Sequence, residues 1–479
     1  MYRIILLLIS AQLILTFNTL SQHKFYSKQD SLDYRHYSLI LSKGYSFSVE
    51  NGAVKRVLVD SSYLESDKYI PYDSALKIIR SIPKFSYSTH SPNKEFTSLK
   101  ELNETNQYDS ITQLSISGKS NTKLPLLRII KCKNLKEIEL VGTNIRKIPW
   151  MLNWKVFGLD SLKTIRVYNH APGVKLKFAK NDNIEKFVFR DSPYSPAPHF
   201  YKLKNLIEVD LVQNDFAPDT KFNFEKFKKL DHLNLSKNSI SIKNLAKDTV
   251  HSLGHLILSF NNLQSVDQEI GYFKDLTDLQ LAENDIVSEN IDLALGTLTN
   301  LEILSFYKNE LDSIPPFIFN LNNLIELDLY YNEIEKLPSQ LGELTKLERL
   351  YIAHNKFYSI PESVGKLRSL KEFYIHHNRV SYLPQSIGNL EHITDFHIQN
   401  NYFQGFPEFV LNYRKLEDLD VSNNEIEKLP KEILQLENLK YLWMKGITFL
   451  ATDKAEANDI KNTLESLQKK GVKVSIDLE

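Results

Sequence analysis

The stretch Leu324-Ile-Glu-Leu-Asp-Leu-Tyr-Tyr-Asn-Glu-Ile-Glu-Lys-Leu-Pro338 decides the fold of this chain. Its spacing of apolar residues returns at five later positions, each 23 residues after the last: Leu347, Leu370, Ile393, Leu416 and Leu439. The asparagine and the proline are kept in the first four of them. Self-similarity at such a period indicates a solenoid, in which each unit packs only on its neighbours. The sequence therefore predicts a stack of short units with one long continuous surface.

The pattern extends well upstream of this stretch. Repeats begin at Ile111, Leu135, Leu162, Ile184, Leu206, Leu230, Leu253, Leu276, Leu301, Leu324, Leu347, Leu370, Ile393, Leu416 and Leu439. Because side chains alternate along a strand, each Leu-x-x-Leu-x-Leu segment predicts a short parallel strand with its leucines inward and the residues between them outward. The second half of a repeat often opens with proline, which predicts a helical or 3₁₀ turn on the opposite face.

An asparagine stands at the ninth position of most repeats. These residues are Asn214, Asn238, Asn261, Asn284, Asn309, Asn332, Asn355, Asn378, Asn401 and Asn424. We expect each amide to bond backbone groups that the turning chain leaves open, since buried backbone polar groups need partners. Thr143, His170 and Ser192 hold the same position in the N-terminal repeats.

At these residues the chain resembles the leucine-rich repeat family, in its 23-residue Leu-Pro subclass of protein-recognising repeats. The resemblance spans residues 111–447 and is highly specific. It implies an α/β fold: a right-handed horseshoe solenoid with a concave parallel sheet. Three prolines and the altered ninth positions depart from the pattern over residues 160–224, where we expect irregular convex loops.

Both ends of a repeat stack need covers, because terminal repeats otherwise expose core leucines. Residues 451–479 are predicted as a C-terminal cap. Its helix carries Ile460, Leu464 and Leu467 on one face, and a strand follows over Val472–Ile476. The repeats themselves are assigned to residues 96–450, preceded by a small N-terminal cap region.

That N-terminal region, residues 22–95, is less regular. Asn51-Gly52 between two alternating apolar stretches predicts a β-hairpin, although Val54–Val59 also fits one degenerate repeat strand. Residues 1–21 are predicted as a signal peptide: Arg3 precedes an apolar run that is too short to span a bilayer, and small residues follow. The alternative is an uncleaved anchor.

Composition narrows the class of partner. Lys+Arg and Asp+Glu both number 59, so the chain has no overall charge that favours nucleic acid or an acidic membrane. Cys132 is the only cysteine, and export without disulfides favours a bacterial exported protein, periplasmic, at the cell surface or secreted. Cys132 itself is interpreted as an inert thiol, with a reactive thiol as the alternative.

No catalytic motif is present in the sequence: it has no glycine-rich phosphate loop, no Gly-x-Ser-x-Gly and no His-Glu-x-x-His. We therefore predict a protein that is not an enzyme and takes no cofactor. Its outward strand residues are the informative positions, because they line one continuous face.

Tyrosine and histidine concentrate on that face in the later repeats. The predicted binding residues are Tyr307, Tyr330, Tyr331, Tyr351, His354, Tyr374, His376, His377, His397 and Trp443. Such side chains offer rigid contact area with a polar tip, which favours a protein or peptide partner; carbohydrate is the alternative. The histidines also fit a pH response, whereas no metal site is assigned. Acidic outward residues, among them Glu326, Glu372, Asp395 and Asp418, fit either a solvated rim or steering of a basic partner.

Overall fold

The computed structural model divides the chain into two compact units, residues 1–94 and 95–479. It describes residues 45–50, 53–59, 97–118, 123–148, 159–193, 197–447 and 454–476. In the first unit β1 (Tyr45–Glu50) and β2 (Ala53–Val59) pair antiparallel, so the predicted hairpin is confirmed over the single degenerate strand. The predicted signal peptide, residues 1–21, lies outside the described residues.

In the second unit a parallel sheet of 17 strands runs through every repeat. The strands of this unit are β3 (Thr97–Ser98), β4 (Gln113–Ser117), β5 (Glu137–Val141), β6 (Lys147–Ile148), β7 (Thr164–Tyr168), β8 (Lys177–Phe178), β9 (Lys186–Arg190), β10 (Glu208–Asp210), β11 (His232–Asn234), β12 (His255–Ile257), β13 (Asp278–Gln280), β14 (Ile303–Ser305), β15 (Glu326–Asp328), β16 (Arg349–Tyr351), β17 (Glu372–Tyr374), β18 (Asp395–His397), β19 (Asp418–Asp420), β20 (Tyr441–Met444) and β21 (Lys473–Ile476). Strands β6 and β8 pair with each other in a separate small sheet, and the rest form the long sheet.

Each predicted repeat start is followed by one strand of the long sheet, and its leucines face inward. In one repeat Leu347, Leu350 and Ile352 are all fully buried. Each of these side chains meets its counterparts in the repeats before and after, which produces one continuous core along the stack. The predicted solenoid is therefore confirmed.

The opposite face of the stack is built largely from short 3₁₀ segments. They span Phe224–Lys226, Ile242–Asn244, Gln268–Tyr272, Ser288–Asn290, Leu293–Thr297, Pro316–Asn320, Ser339–Glu343, Glu362–Lys366, Gln385–Asn389, Glu408–Asn412 and Lys431–Gln435; a further one, Tyr108–Ser110, precedes β4. Glycine is required where these segments meet: a Cβ on Gly342 would lie 2.5 Å from the carbonyl oxygen of Ser363. Because the 3₁₀ segments are wider than strands, the stack curves with the sheet on its concave side.

The early repeats differ from the later ones, as expected from their sequence. Instead of a 3₁₀ segment, the β6–β8 pair covers the opposite face there. Phenylalanine replaces leucine in this part of the core, where the rings of Phe178 and Phe187 lie 5.0 Å apart and those of Phe187 and Phe200 lie 5.4 Å apart. The larger rings fill the space between layers that are spaced less regularly.

Both ends of the second unit are covered. Helix α1 (Leu99–Glu104) begins with a capping box at Ser98 and buries Leu102, and α2 (Leu126–Ile129) lies in the first repeat. At the other end α3 (Lys454–Lys469) buries Leu464 and Leu467, and β21 pairs parallel with β20. The predicted helix-and-strand cap is confirmed. None of the helices within the described residues has the length and apolar character needed to cross a membrane.

Candidate binding surface

The strand register aligns the outward residues of neighbouring repeats in columns. One column contains Asp328, Tyr351, Tyr374, His397, Asp420 and Trp443. A parallel column contains Glu326, Arg349, Glu372, Asp395 and Asp418. Because neighbouring strands lie about 5 Å apart, side chains in a column contact one another.

The cluster of tyrosine and histidine that results is called here the aromatic cluster. Its members are Tyr307, Tyr330, Tyr331, Tyr351, His354, Tyr374, His376, His377 and His397. These side chains form an unbroken series of ring contacts across β14 to β18. Sequence reasoning predicted all of them, and the structure brings them together.

At the outer edge of the aromatic cluster three rings stack. The centroids of Tyr331 and His354 are 4.0 Å apart and those of His354 and His377 are 3.9 Å apart, with interplanar angles of 19° and 18°. All three residues have left-handed backbones, with φ of 56°, 51° and 52°. This conformation costs a non-glycine residue about 1–3 kcal/mol. Each of the three residues directly precedes an asparagine at the ninth position of its repeat, in the turn that imposes the conformation. Stacking places these rings at the surface, where Tyr331 is 39% exposed.

The middle of the aromatic cluster crosses two repeats. The hydroxyl oxygen of Tyr330 lies 2.6 Å from Nε2 of His376, although a whole repeat separates their strands. Ala353 occupies the intervening position and is fully buried. Its small side chain leaves the space through which Tyr330 reaches His376, a contact that strand spacing alone does not predict.

The side chains of the inner part of the aromatic cluster are buried, whereas the sequence predicted that they are exposed. Tyr351 and Tyr374 are only 5% and 7% exposed, and His376 is 7% exposed. Tyr351, Ala353 and Tyr374 form their own buried group, distinct from the leucine core. The rings of Tyr374 and His397 stack at 4.3 Å, and this mutual packing is the reason for the low exposure.

Trp443 stands apart from the aromatic cluster. In the column, Asp420 lies between Trp443 and His397. The indole Nε1 of Trp443 donates a hydrogen bond to Oδ1 of Asp418 at 3.0 Å. Its ring stacks instead on Tyr441, with centroids 6.3 Å apart. The structure therefore assigns Trp443 to the C-terminal end of the same face.

Carboxylates surround the histidine at the end of the aromatic cluster. Burial alone lowers the pKa of His397, but Asp418, whose Oδ1 lies 3.5 Å from Nε2, together with Asp420 and Asp395 raises that pKa above its ordinary value. Burial also raises the pKa of Asp420. This end of the face thus holds a proton more firmly than a solvated imidazole does.

Most of the predicted acidic column has partners within the chain. Arg349 forms an ion pair with Glu326, and the Tyr351 hydroxyl donates to Oε2 of Glu372 at 2.5 Å. The hydroxyl of Thr394 donates to Oδ2 of Asp395 at 2.6 Å. Three carboxylates of this column are thus engaged within the chain, and Asp395 is itself buried.

A set of potential metal ligands lies elsewhere on the same face. Within the part of the chain that the structure describes, three His, Cys, Asp or Glu ligand atoms lie within 4.8 Å of one another only at Asp231, His232 and His255. Sequence reasoning missed this set. It weighed His354 and His377, with His376 or His397 as a third ligand, and assigned no metal site. The available signal was two histidines 23 residues apart in one outward column.

Cys132 is fully buried in the leucine core. Burial raises the pKa of its thiol to about 11, with a smaller contribution from Asp109. A thiol in this state is a poor nucleophile, so the reactive-thiol alternative is wrong.

Comparison with known proteins agrees with this architecture. A model of the leucine-rich repeat region matches residues 260–394. A solved leucine-rich repeat protein of Leptospira interrogans is 24% identical, with a TM-score of 0.59 over 79% of this chain and 98% of that chain. A chain in the structure of the Toll–Spatzle complex of Drosophila is 19% identical, with a TM-score of 0.55 over 72% of this chain and 51% of that one.

Two curated proteins match in part. The volume-regulated anion channel subunit LRRC8D of Rattus norvegicus is 30% identical over 40% of this chain and 20% of its own length. Adenylate cyclase of Schizosaccharomyces pombe is 27% identical over 41% of this chain and 11% of its own length. This chain thus spans a fifth or less of either relative. The repeat pattern, the stacked parallel strands and the matched model together show that this chain contains a leucine-rich repeat region, which the model matches over residues 260–394.

Proposed function

We propose that this chain is a non-enzymatic scaffold that binds a protein or peptide on the concave face of its sheet, at the aromatic cluster. The observation that carries the proposal is the stack of Tyr331, His354 and His377, which is held at the surface by left-handed backbone turns. The fold alone does not assign a partner, because one architecture serves many functions.

The rigidity of the aromatic cluster supports this role. Tyr351, Tyr374 and His376 are packed against one another, so the exposed rings above them rest on a fixed base. Binding to side chains that are already ordered loses little conformational entropy. A shallow groove of about 390 Å³ runs beside the stack and is lined by Lys308, Glu333 and the stacked rings. Such a groove accommodates single side chains of a protein or peptide.

Carbohydrate is the alternative partner. Sugars bind aromatic side chains through exposed ring faces. In the aromatic cluster the faces of His354 are covered by Tyr331 and His377, and one face of Tyr374 is covered by His397. Ring edges and hydroxyl groups remain, which suits a protein surface better than a stacked sugar.

The location that we propose is outside the cytoplasm: periplasmic, at the cell surface or secreted. It is supported by the basic residue, apolar run and small residues within residues 1–21, a pattern typical of a signal peptide. A cleavage assay of the native chain, with N-terminal sequencing of the mature protein, tests it.

Substitution at the exposed stack tests the binding proposal. Tyr331→Ala is expected to weaken capture of a protein partner from the native envelope or medium by roughly 30-fold, as for an interface hot spot. Tyr382→Ala is the matched control, because Tyr382 is 62% exposed and lies outside the aromatic cluster. Dissociation constants from surface plasmon resonance, with the recovered partner in solution, measure the effect.

Two outcomes contradict the proposal. One is equal affinity of Tyr331→Ala, His377→Ala and the native chain for the recovered protein. The other is binding on a glycan array that Tyr331→Ala abolishes, with no protein recovered; it identifies carbohydrate as the ligand instead.

A further inference from the structure

Strands β11 and β12 place two imidazoles side by side on the concave face, upstream of the aromatic cluster. His232 and His255 occupy the same register position, and their rings stack with centroids 4.1 Å apart at 15°. Both side chains are partly exposed, 32% and 31% respectively. They are therefore accessible from solvent.

A carboxylate completes this group. Oδ2 of Asp231 lies 2.9 Å from Nδ1 of His232, and Oδ1 accepts a hydrogen bond from the Gly254 amide at 3.2 Å. A Cβ on Gly254 would lie 2.5 Å from that same Oδ1. The absence of a side chain at this position is thus what allows the Asp231 carboxylate to lean across onto the next strand, toward His255.

We propose that Asp231, His232 and His255 bind a divalent transition-metal ion of the zinc class. Their ligand atoms all lie within 4.8 Å of one another, and two imidazoles with one carboxylate are donors that zinc accepts. A three-ligand site of this kind leaves a coordination position open to water or to a partner on the concave face.

A second carboxylate holds one of the ligands in place. Oδ2 of Asp278, on β13, lies 3.4 Å from Nδ1 of His255. Metal-binding histidines commonly pair their second ring nitrogen with a carboxylate, which fixes the ring and its tautomer. The side chain of Gln280 donates to Oδ1 of Asp278 at 2.6 Å, so that this carboxylate is itself held. Asp278 is a positioning residue.

Titration of the untagged full chain with zinc tests the proposal. Isothermal titration calorimetry is expected to show one ion bound per chain, and cobalt in its place is expected to give visible absorption bands. His255→Gln and His232→Gln are each expected to weaken zinc binding at least tenfold, because loss of a direct ligand costs no less than loss of a supporting residue, which costs roughly 10–100-fold. His251→Gln is the matched control, since His251 is 69% exposed and pairs only loosely with Asp275 at 3.9 Å.

Gly254→Ala tests whether zinc binding needs the Asp231 carboxylate in its present position or whether the two histidines are sufficient. It keeps all three ligands, and the clash falls on the movable end of the Asp231 side chain, so the fold survives while zinc affinity falls. Unchanged far-ultraviolet circular dichroism verifies the fold of each variant.

Three results overturn the proposal: no stoichiometric zinc binding by the native chain, full affinity in both His232→Gln and His255→Gln, or loss of binding in His377→Gln instead. Either of the first two results would mean that Asp231, His232 and His255 form only imidazole–carboxylate pairs and bind no ion. The third assigns the ion to the aromatic cluster. None of them fixes the outcome of the capture measurement with Tyr331→Ala, so the two proposals fail separately.

Discussion

At the scale of single residues, the asparagine at the ninth position stabilises the turn of its repeat through hydrogen bonds. The side-chain amide of Asn355 donates to the carbonyls of Leu329, Ile352 and Ala353 at 2.8, 3.2 and 3.2 Å, and its Oδ1 accepts from the Ile334 amide at 3.0 Å. One side chain thus joins two repeats at a buried position. Asparagine suits the position because its short side chain combines two donor hydrogens with an acceptor oxygen.

Asn355→Ala is expected to lower the free energy of unfolding by about 1–3 kcal/mol for each backbone group that it strands. Urea denaturation followed by circular dichroism measures the effect. Asn389→Ala provides the comparison, because Asn389 is exposed in a 3₁₀ segment. Equal denaturation midpoints for the two variants would show that the hydrogen bonds of the Asn355 side chain contribute no net stability.

At the scale of elements, two neighbouring strands determine the ionisation of one histidine. His397 ends β18, and Asp418 and Asp420 lie on β19 beside it. Asp395 lies on β18 itself, and the three carboxylates raise the pKa of the imidazole against the opposing effect of burial. The folded chain therefore binds this proton more tightly than the unfolded chain, and protonation stabilises the fold.

This stabilisation is expected to be complete below the ordinary histidine pKa of about 6.5 and to disappear as pH rises through the higher folded value. The native chain should exceed His397→Gln in unfolding free energy by more at about pH 5.5 than at about pH 8.5. Chemical denaturation at both pH values measures the difference. His392→Gln is the control substitution at an exposed histidine, and an identical pattern for the two variants would contradict the assignment.

At the scale of the whole repeat unit, stability is a sum over neighbouring layers, so the last layers depend on their cap. Helix α3 buries Leu467 completely, and β21 pairs with β20 along the whole of that strand. Without this cover, the edge of β20 presents open backbone groups and core leucines to water.

Leu467→Ala is expected to destabilise the cap by about 2–5 kcal/mol through the cavity that it leaves. Because coupling passes only between neighbours, hydrogen exchange followed by mass spectrometry should show lost protection in β19 to β21 and retained protection in β4 to β9. Leu127→Ala is the control, since Leu127 is 76% exposed. Uniform loss of protection along the chain would show one cooperative unit instead.

The repeats, the direction in which their leucines face and the composition of the outward columns follow from the sequence alone. Strand side chains alternate, and a near-constant 23-residue period superimposes equivalent positions, so Tyr351 and Tyr374 had to be neighbours. The sequence also predicted the C-terminal cap, because Leu464 and Leu467 recur at helical spacing.

Only the tertiary structure decided which outward side chains are buried and which ones meet across more than one repeat. The gap over Ala353 lets Tyr330 reach His376, and the gap over Gly254 lets Asp231 approach the two histidines. Backbone spacing sets which residues are adjacent, whereas rotamers and the size of intervening side chains set which atoms touch. Those details depend on packing in three dimensions, which a linear period does not encode.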